Sequence, residues 1–137
     1  MTFLVDTSVI IEILRDNETA HEFVTNHPKD KFLTSCLCEA EIIAGIYSKE
    51  VKNISTKREQ AMKTLLSFDE IIPFGGEQTD QFGKIYADLA DRGQLIEDMD
   101  ILIAAVAIYK GATLWTKNPK HFSRIKNLEI LPLEPQK

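Results

Sequence analysis

Short apolar runs alternate with longer stretches of helical periodicity along the whole chain. The first run, residues 2–5, is bounded by turn formers and predicts a buried strand. A helix follows over 9–15, capped by Thr7 or Ser8, with consecutive apolar positions that suggest burial. Asp16-Asn17 stops it. An amphipathic helix over 18–26 turns Phe23 and Val24 inward and ends at His27-Pro28. Residues 32–34 make a second short strand. Ser35 opens a helix to about Tyr47, whose apolar stripe is Ala40, Ile43, Ala44 and Tyr47. The polar segment 48–57 reads as a loop or the approach to a helix over 57–68, with Ala61, Leu65 and Phe68 on one side. Residues 70–74 form a third strand, broken by Gly75-Gly76. The long helix over 77–91 carries Phe82, Ile85, Tyr86 and Leu89 at helical spacing, and Arg92-Gly93-Gln94 is a turn. The most apolar helix, 98–109, closes on Gly111 as its C-terminal cap. Residues 113–116 form a fourth strand, Asn118-Pro119 starts a tight turn, and 128–133 reads as an edge strand, consistent with Pro132 and Pro135.

Strands that alternate with helices imply an α/β fold in three layers, α/β/α, around a central mostly parallel sheet of four to five strands. The helix at 98–110 is apolar nearly all round and should lie deepest. With 137 residues and no repeat, linker or low-complexity segment, a single domain over 1–137 is expected.

Composition narrows the class. A hydrophobic fraction of 44% and a charged fraction of 27% are those of a soluble globular chain. The longest apolar run, 101–109, is too short to span a bilayer, and the start lacks the basic stretch and apolar core of a signal peptide. No membrane association is therefore expected. Cys36 and Cys38 are too close for a useful disulfide and too few for a zinc site; they read as small buried thiols in a reducing, cytoplasmic setting. The net charge of −5 counts against a broad nucleic-acid surface, which wants Lys and Arg. It counts less against a nuclease whose carboxylates hold a cation.

The candidate chemistry lies in acids at the ends of elements. Asp6 ends the first strand, where open α/β sheets bind their ligands. Glu41 interrupts an apolar helix face, and Asp98 and Asp100 begin the most buried helix. None has Arg or Lys as a sequence neighbour. Burying such groups unpaired costs several kcal/mol, whereas a hard divalent cation satisfies several at once. Blander readings stand beside this one. Asp6 can be an Asx turn or helix cap, Glu41 a solvated residue, Asp98 a cap and Asp100 a first-turn acid favoured by the helix dipole.

Four segments in order resemble a PIN domain of the VapC toxin type, and the resemblance covers almost the whole chain. Leu4-Val5-Asp6-Thr7-Ser8-Val9-Ile10 is similar to the family's opening strand and first metal-binding aspartate. In Ser35-Cys36-Leu37-Cys38-Glu39-Ala40-Glu41-Ile42-Ile43-Ala44-Gly45, the spacing to Ser35 and Gly45 puts Glu41, not Glu39, in the glutamate's role. Ile96-Glu97-Asp98-Met99-Asp100-Ile101-Leu102-Ile103-Ala104-Ala105 resembles the third acidic motif, with Asp100 as the match and Asp98 as a cap, auxiliary ligand or proton acceptor. Gly111-Ala112-Thr113-Leu114-Trp115-Thr116-Lys117-Asn118-Pro119-Lys120-His121-Phe122 resembles the last motif. There His121 stands where many relatives carry an acid, and it can hold a phosphate or a water or be a surface residue.

The resemblance implies a Mg²⁺- or Mn²⁺-dependent endoribonuclease. Its metal ligands would be Asp6, Glu41 and Asp100, with Asp98 among the catalytic candidates and Thr7, Thr116, Asn118 and His121 supporting the site. It further implies structured RNA (tRNA or rRNA) as substrate, a small VapB-like antitoxin as partner, and a homodimer; the exposed sides of the first two helices and the 57–68 helix are candidate surfaces for the dimer or the antitoxin. A PIN-type binding module with a weak or inactive site is the alternative. A phosphatase of the haloacid dehalogenase type is less favoured, because its second Asp would stand where Ser8 does. A receiver domain is less favoured too, since only Lys117 is loosely placed for it.

Overall fold

The structure, a computed structural model, describes residues 1–48 and 52–134. Residues 49–51 of the polar segment, and Pro135, lie outside the described residues. Five strands form one sheet: β1 (Thr2–Val5), β2 (Lys31–Ser35), β3 (Glu70–Ile72), β4 (Thr113–Thr116) and β5 (Ile130–Pro132). Their order is β3-β2-β1-β4-β5, and every pairing is parallel. Parallel pairs need crossovers, which here are helical. The helices α1 (Thr7–Leu14) and α2 (Glu18–Asn26) link β1 to β2, and α3 (Cys36–Ser48) and α4 (Ile54–Leu65) link β2 to β3. The helices α5 (Glu77–Asp91) and α6 (Asp98–Lys110) lead to β4, and the short α7 (Pro119–Phe122) leads to β5. The expected three-layer α/β/α architecture is thus present, with all five strands parallel.

β1 is the central strand, paired with β2 on one side and β4 on the other, so Leu4 faces both Leu33 and Leu114 in register. A strand covered on both faces should read as a continuous apolar run, and Phe3, Leu4 and Val5 are all buried. Phe3, Phe23, Phe32 and Trp115 form an aromatic cluster, with Phe3 edge-on to Phe23 and stacked on Phe32. The depth expected of the most apolar helix is also found: Ile101 and the run from Ile103 to Ala107 are buried in α6. Its C-terminal cap is Gly111, whose φ of 62° is the left-handed conformation that lets the chain turn into β4.

Several local expectations are corrected. α1 starts at Thr7 and its N-cap is Asp6, not Thr7 or Ser8. In α2 the inward residues are Ala20 and Phe23; Val24 is exposed. In α3 the buried positions are Cys38 and Ile42, while Ala40, Ala44 and Tyr47 face outward. Apolar residues lie on most sides of α3, so the 3.6-residue repeat admits two registers, and contacts with α1, α4 and α6 select between them. In α5, Ile85 and Leu89 are buried but Tyr86 is exposed. Asn118-Pro119 opens α7, with Pro at its first helical position where the missing N–H costs nothing. β5 is shorter than expected and lies at the sheet edge, where Pro132 is tolerated. Cys36 and Cys38 are free thiols, and burial pushes the Cys38 thiol up.

Candidate active site

β1 ends at Val5, and Asp6 leaves the strand in an extended conformation, its N–H still donating to Trp115 O in β4. The Asp6 carbonyl accepts from Val9 and Ile10, which starts α1. Its side chain makes no capping bond. Instead Oδ2 accepts two hydrogen bonds, from Ser8 Oγ at 2.7 Å and from Thr116 Oγ1 at 2.7 Å. Among the described residues Oδ1 has no donor. Asp6 is only 5% exposed, so the carboxylate is held by one oxygen, desolvated, and aimed with the other.

The two hydroxyls are themselves tied down. Ser8 Oγ accepts from the Lys117 N–H at 3.0 Å, and Thr116 Oγ1 accepts from the Asn118 N–H at 3.1 Å. Lys117 Nζ reaches across to Glu12 Oε1 in α1 at 2.9 Å. These contacts lock the exit of β4 to the start of α1. Asn118 is exposed and contributes through its backbone.

Glu41 comes from α3, the second crossover. Its Oε1 accepts from Thr7 Oγ1 at 2.7 Å. Adjacent residues at the start of α1 therefore serve different acids: Thr7 orients Glu41 and Ser8 orients Asp6. Asp100, the third residue of α6, is half-buried, and its Oδ2 lies 3.4 Å from His121 Nδ1. Burial pushes the Glu41 carboxyl up, the bond from Thr7 opposes this, and the charges of Asp6, Asp100 and Glu97 add to the rise. Asp100 is raised by burial and then by Asp6, against the pull of His121, with a further push from Glu97. Desolvation and like charges both disfavour the ionised forms.

Asp6, Glu41 and Asp100 thus face one another, from three elements far apart in the chain. The fourth acid in their field is Glu97, the N-cap of α6, rather than Asp98. Asp98 is the first residue of α6, exposed, and does not cap it. Two contributors are not among the site residues expected from the sequence: Ser8 and Glu97. A hydroxyl two residues after a strand-end Asp was the available signal for Ser8; an acid beside Asp98 was the signal for Glu97.

Among the described residues no Lys or Arg lies within ion-pair distance of Asp6, Glu41 or Asp100; the ion-pair partner of Asp100 is His121. The donor set is hard oxygen, uncompensated and partly buried, which fits a small divalent cation. In the conformation present, no three such side chains among the described residues already converge at ligand distance on one point. Binding an ion would draw them inward against their mutual repulsion.

A family model described as PIN domain matches residues 3–128, and the chain belongs to that family. Among curated proteins it is 36% identical over 130 residues to Ribonuclease VapC1 of Methanocaldococcus jannaschii, covering 93% of this chain and 83% of that protein. It is 30% identical over 131 residues to Ribonuclease VapC1 of Rickettsia felis, covering 96% of each. Among solved structures, VapBC2 from Rickettsia felis, bound to a DNA fragment from its promoter, superposes with a TM-score of 0.83 at 28% identity, over 96% of this chain and 98% of that one.

Proposed function

We propose that this protein is a Mg²⁺- or Mn²⁺-dependent endoribonuclease, the toxin of a type II toxin–antitoxin pair, acting on structured RNA in the cytoplasm. The observation that carries the reading is the Asp6 carboxylate, buried, anchored through Oδ2 and free at Oδ1, facing Glu41 and Asp100 with no Lys or Arg among the described residues within ion-pair distance of the three. The VapC ribonucleases and VapBC complexes that resemble the chain over nearly its whole length support the same class.

Asp6, Glu41 and Asp100 would hold the ion. When bound, Mg²⁺ or Mn²⁺ supplies Lewis acidity toward the phosphodiester and makes water a better nucleophile at neutral pH. Thr7 would hold one oxygen of Glu41, and Ser8 and Thr116 one oxygen of Asp6, leaving the other oxygen of each carboxylate for the ion. Glu41 Oε2, which is not engaged by Thr7, or another of the acids would take a proton from the attacking water. As the water oxygen bonds to phosphorus, the phosphorus–3′-oxygen bond would break and the 3′-oxygen would take up a proton from solvent, leaving a 3′-hydroxyl and a 5′-phosphate.

The partner would be a VapB-like antitoxin. A groove of about 590 Å³ is lined by Ile11, Leu14, Ile42 and Ile46, together with Lys57 and Glu41. It suits an amphipathic antitoxin segment whose end reaches the acids. Two toxin chains would pair as a homodimer.

The test is cleavage of total RNA by the purified toxin in Mg²⁺ or Mn²⁺ against EDTA. Metal-dependent cleavage that is lost in Asp6→Asn supports the reading. Equal cleavage in EDTA, or by the variant, overturns it.

A further inference from the structure

His121 is the side chain that faces the acid cluster from the β4–β5 connection. Its base is fixed: Phe122 is buried, and the His121 N–H donates to Asn118 O. Its imidazole is 60% exposed, and Nδ1 stands 3.4 Å from Asp100 Oδ2. That separation is long for a charge-assisted hydrogen bond, which runs at about 2.7–2.9 Å. It is close to the spacing of neighbouring donors on one divalent ion, since two ligands at about 2.1 Å subtending about 90–110° stand roughly 3.0–3.4 Å apart. The other two imidazoles lie elsewhere. His27 stacks on Phe23 with Nδ1 bonded to Phe23 O, and His21 pairs with Ile13 O and Asp16.

We propose that His121 joins Asp100 as a nitrogen ligand, so that the site is a mixed carboxylate–imidazole centre selecting Mn²⁺ over Mg²⁺. This deepens the metal-dependent reading and rests on it. Imidazole suits transition metals, whereas Mg²⁺ favours oxygen donors and gives up water reluctantly. The exposure of the ring leaves it free to swing the short distance to an ion beside Asp100.

The experiment loads the full-length protein with Mn²⁺ and records pulsed electron paramagnetic resonance, alongside Mn²⁺ and Mg²⁺ titration calorimetry, for wild type, His121→Ala and His121→Asp. Nitrogen hyperfine coupling is expected in the wild type and absent from both variants. His121→Ala should lose at least about tenfold in Mn²⁺ affinity, the scale on which even an indirect partner of a metal ligand acts, with a smaller loss for Mg²⁺. His121→Asp should bind Mg²⁺ at least as tightly as the wild type. Bound Mn²⁺ without nitrogen coupling, or coupling that persists in His121→Ala, overturns the ligand role and leaves the metal-dependent reading standing. Absence of Mn²⁺ binding to the wild type overturns both.

Discussion

Thr116 Oγ1 donates a 2.7 Å hydrogen bond to Asp6 Oδ2, joining the exits of two paired strands across 110 residues of sequence. The same hydroxyl oxygen accepts the Asn118 N–H, so one buried side chain both aims the carboxylate and shapes the turn beyond β4. Thr116→Val keeps the volume and removes both roles. Depriving the part-buried Asn118 N–H of its acceptor and Asp6 Oδ2 of one of its two donors should cost about 1–3 kcal/mol of stability. Divalent-ion affinity should fall as well, and Thr116→Ser should restore both. Urea unfolding and calorimetry on the three proteins check this; equal stability and affinity in Thr116→Val would remove Thr116 from the site.

Asp6→Asn removes a charge and almost no volume. Asp6 is among the charges that raise both Glu41 and Asp100, so both carboxyls should titrate lower in the variant. Carboxyl-carbon NMR titration without metal gives the answer directly. Unchanged midpoints for both would mean that the three acids do not share a field.

Without metal, stability should carry the signature of these raised acids. Folding raises the proton affinity of Glu41 and Asp100 above the ordinary values of 4.5 and 3.8. Their stabilising contribution is therefore complete below those values and is lost as pH rises through the higher folded values. Glu12 and Asp88, lowered by Lys117 and Arg92, act in the opposite sense, but they sit on exposed ion pairs and weigh little. Thermal unfolding in EDTA across mildly acidic to neutral pH should show Glu41→Gln gaining on the wild type as pH rises. Saturating Mg²⁺ should reverse that order. A constant difference across the range would contradict the assignment.

Gly111 offers a test confined to the backbone. Its φ is 62°, and a Cβ there would meet no atom within 4 Å. Gly111→Ala should therefore cost about 1–2 kcal/mol from the left-handed conformation alone. The active-site acids lie at the other end of α6, so RNA cleavage per folded molecule should be unchanged. Denaturation together with a cleavage assay separates the two effects.

The legible parts of the fold were those in which burial leaves one reading. β1 has apolar residues throughout, and α6 is apolar on nearly all sides and ends on a glycine. α3 was misread because Ala40, Ile43, Ala44 and Tyr47 make as regular a stripe as the face around Cys38 and Ile42 that is buried. Only the neighbouring elements distinguish them. At the site, Asp6, Glu41 and Asp100 stand out in the sequence as acids in apolar surroundings. Glu97 and Asp98 are adjacent and chemically alike; which one caps α6 and enters the field of the others follows from where the helix begins. The part played by Ser8 depends on a partner, Lys117, more than a hundred residues away.

The central position of β1 also bears on how the protein is made. β1 is synthesised before both of the strands that flank it in the sheet, β2 and β4, and Asp6 gets its second anchor only when Thr116 arrives. Asp100 and His121 likewise come from the last third of the sequence. A nascent chain still short of β4 holds the first aspartate with Ser8 beside it but without Thr116 and His121. The acid cluster is thus assembled only after β4 and the turn beyond it have followed β1 out of the ribosome.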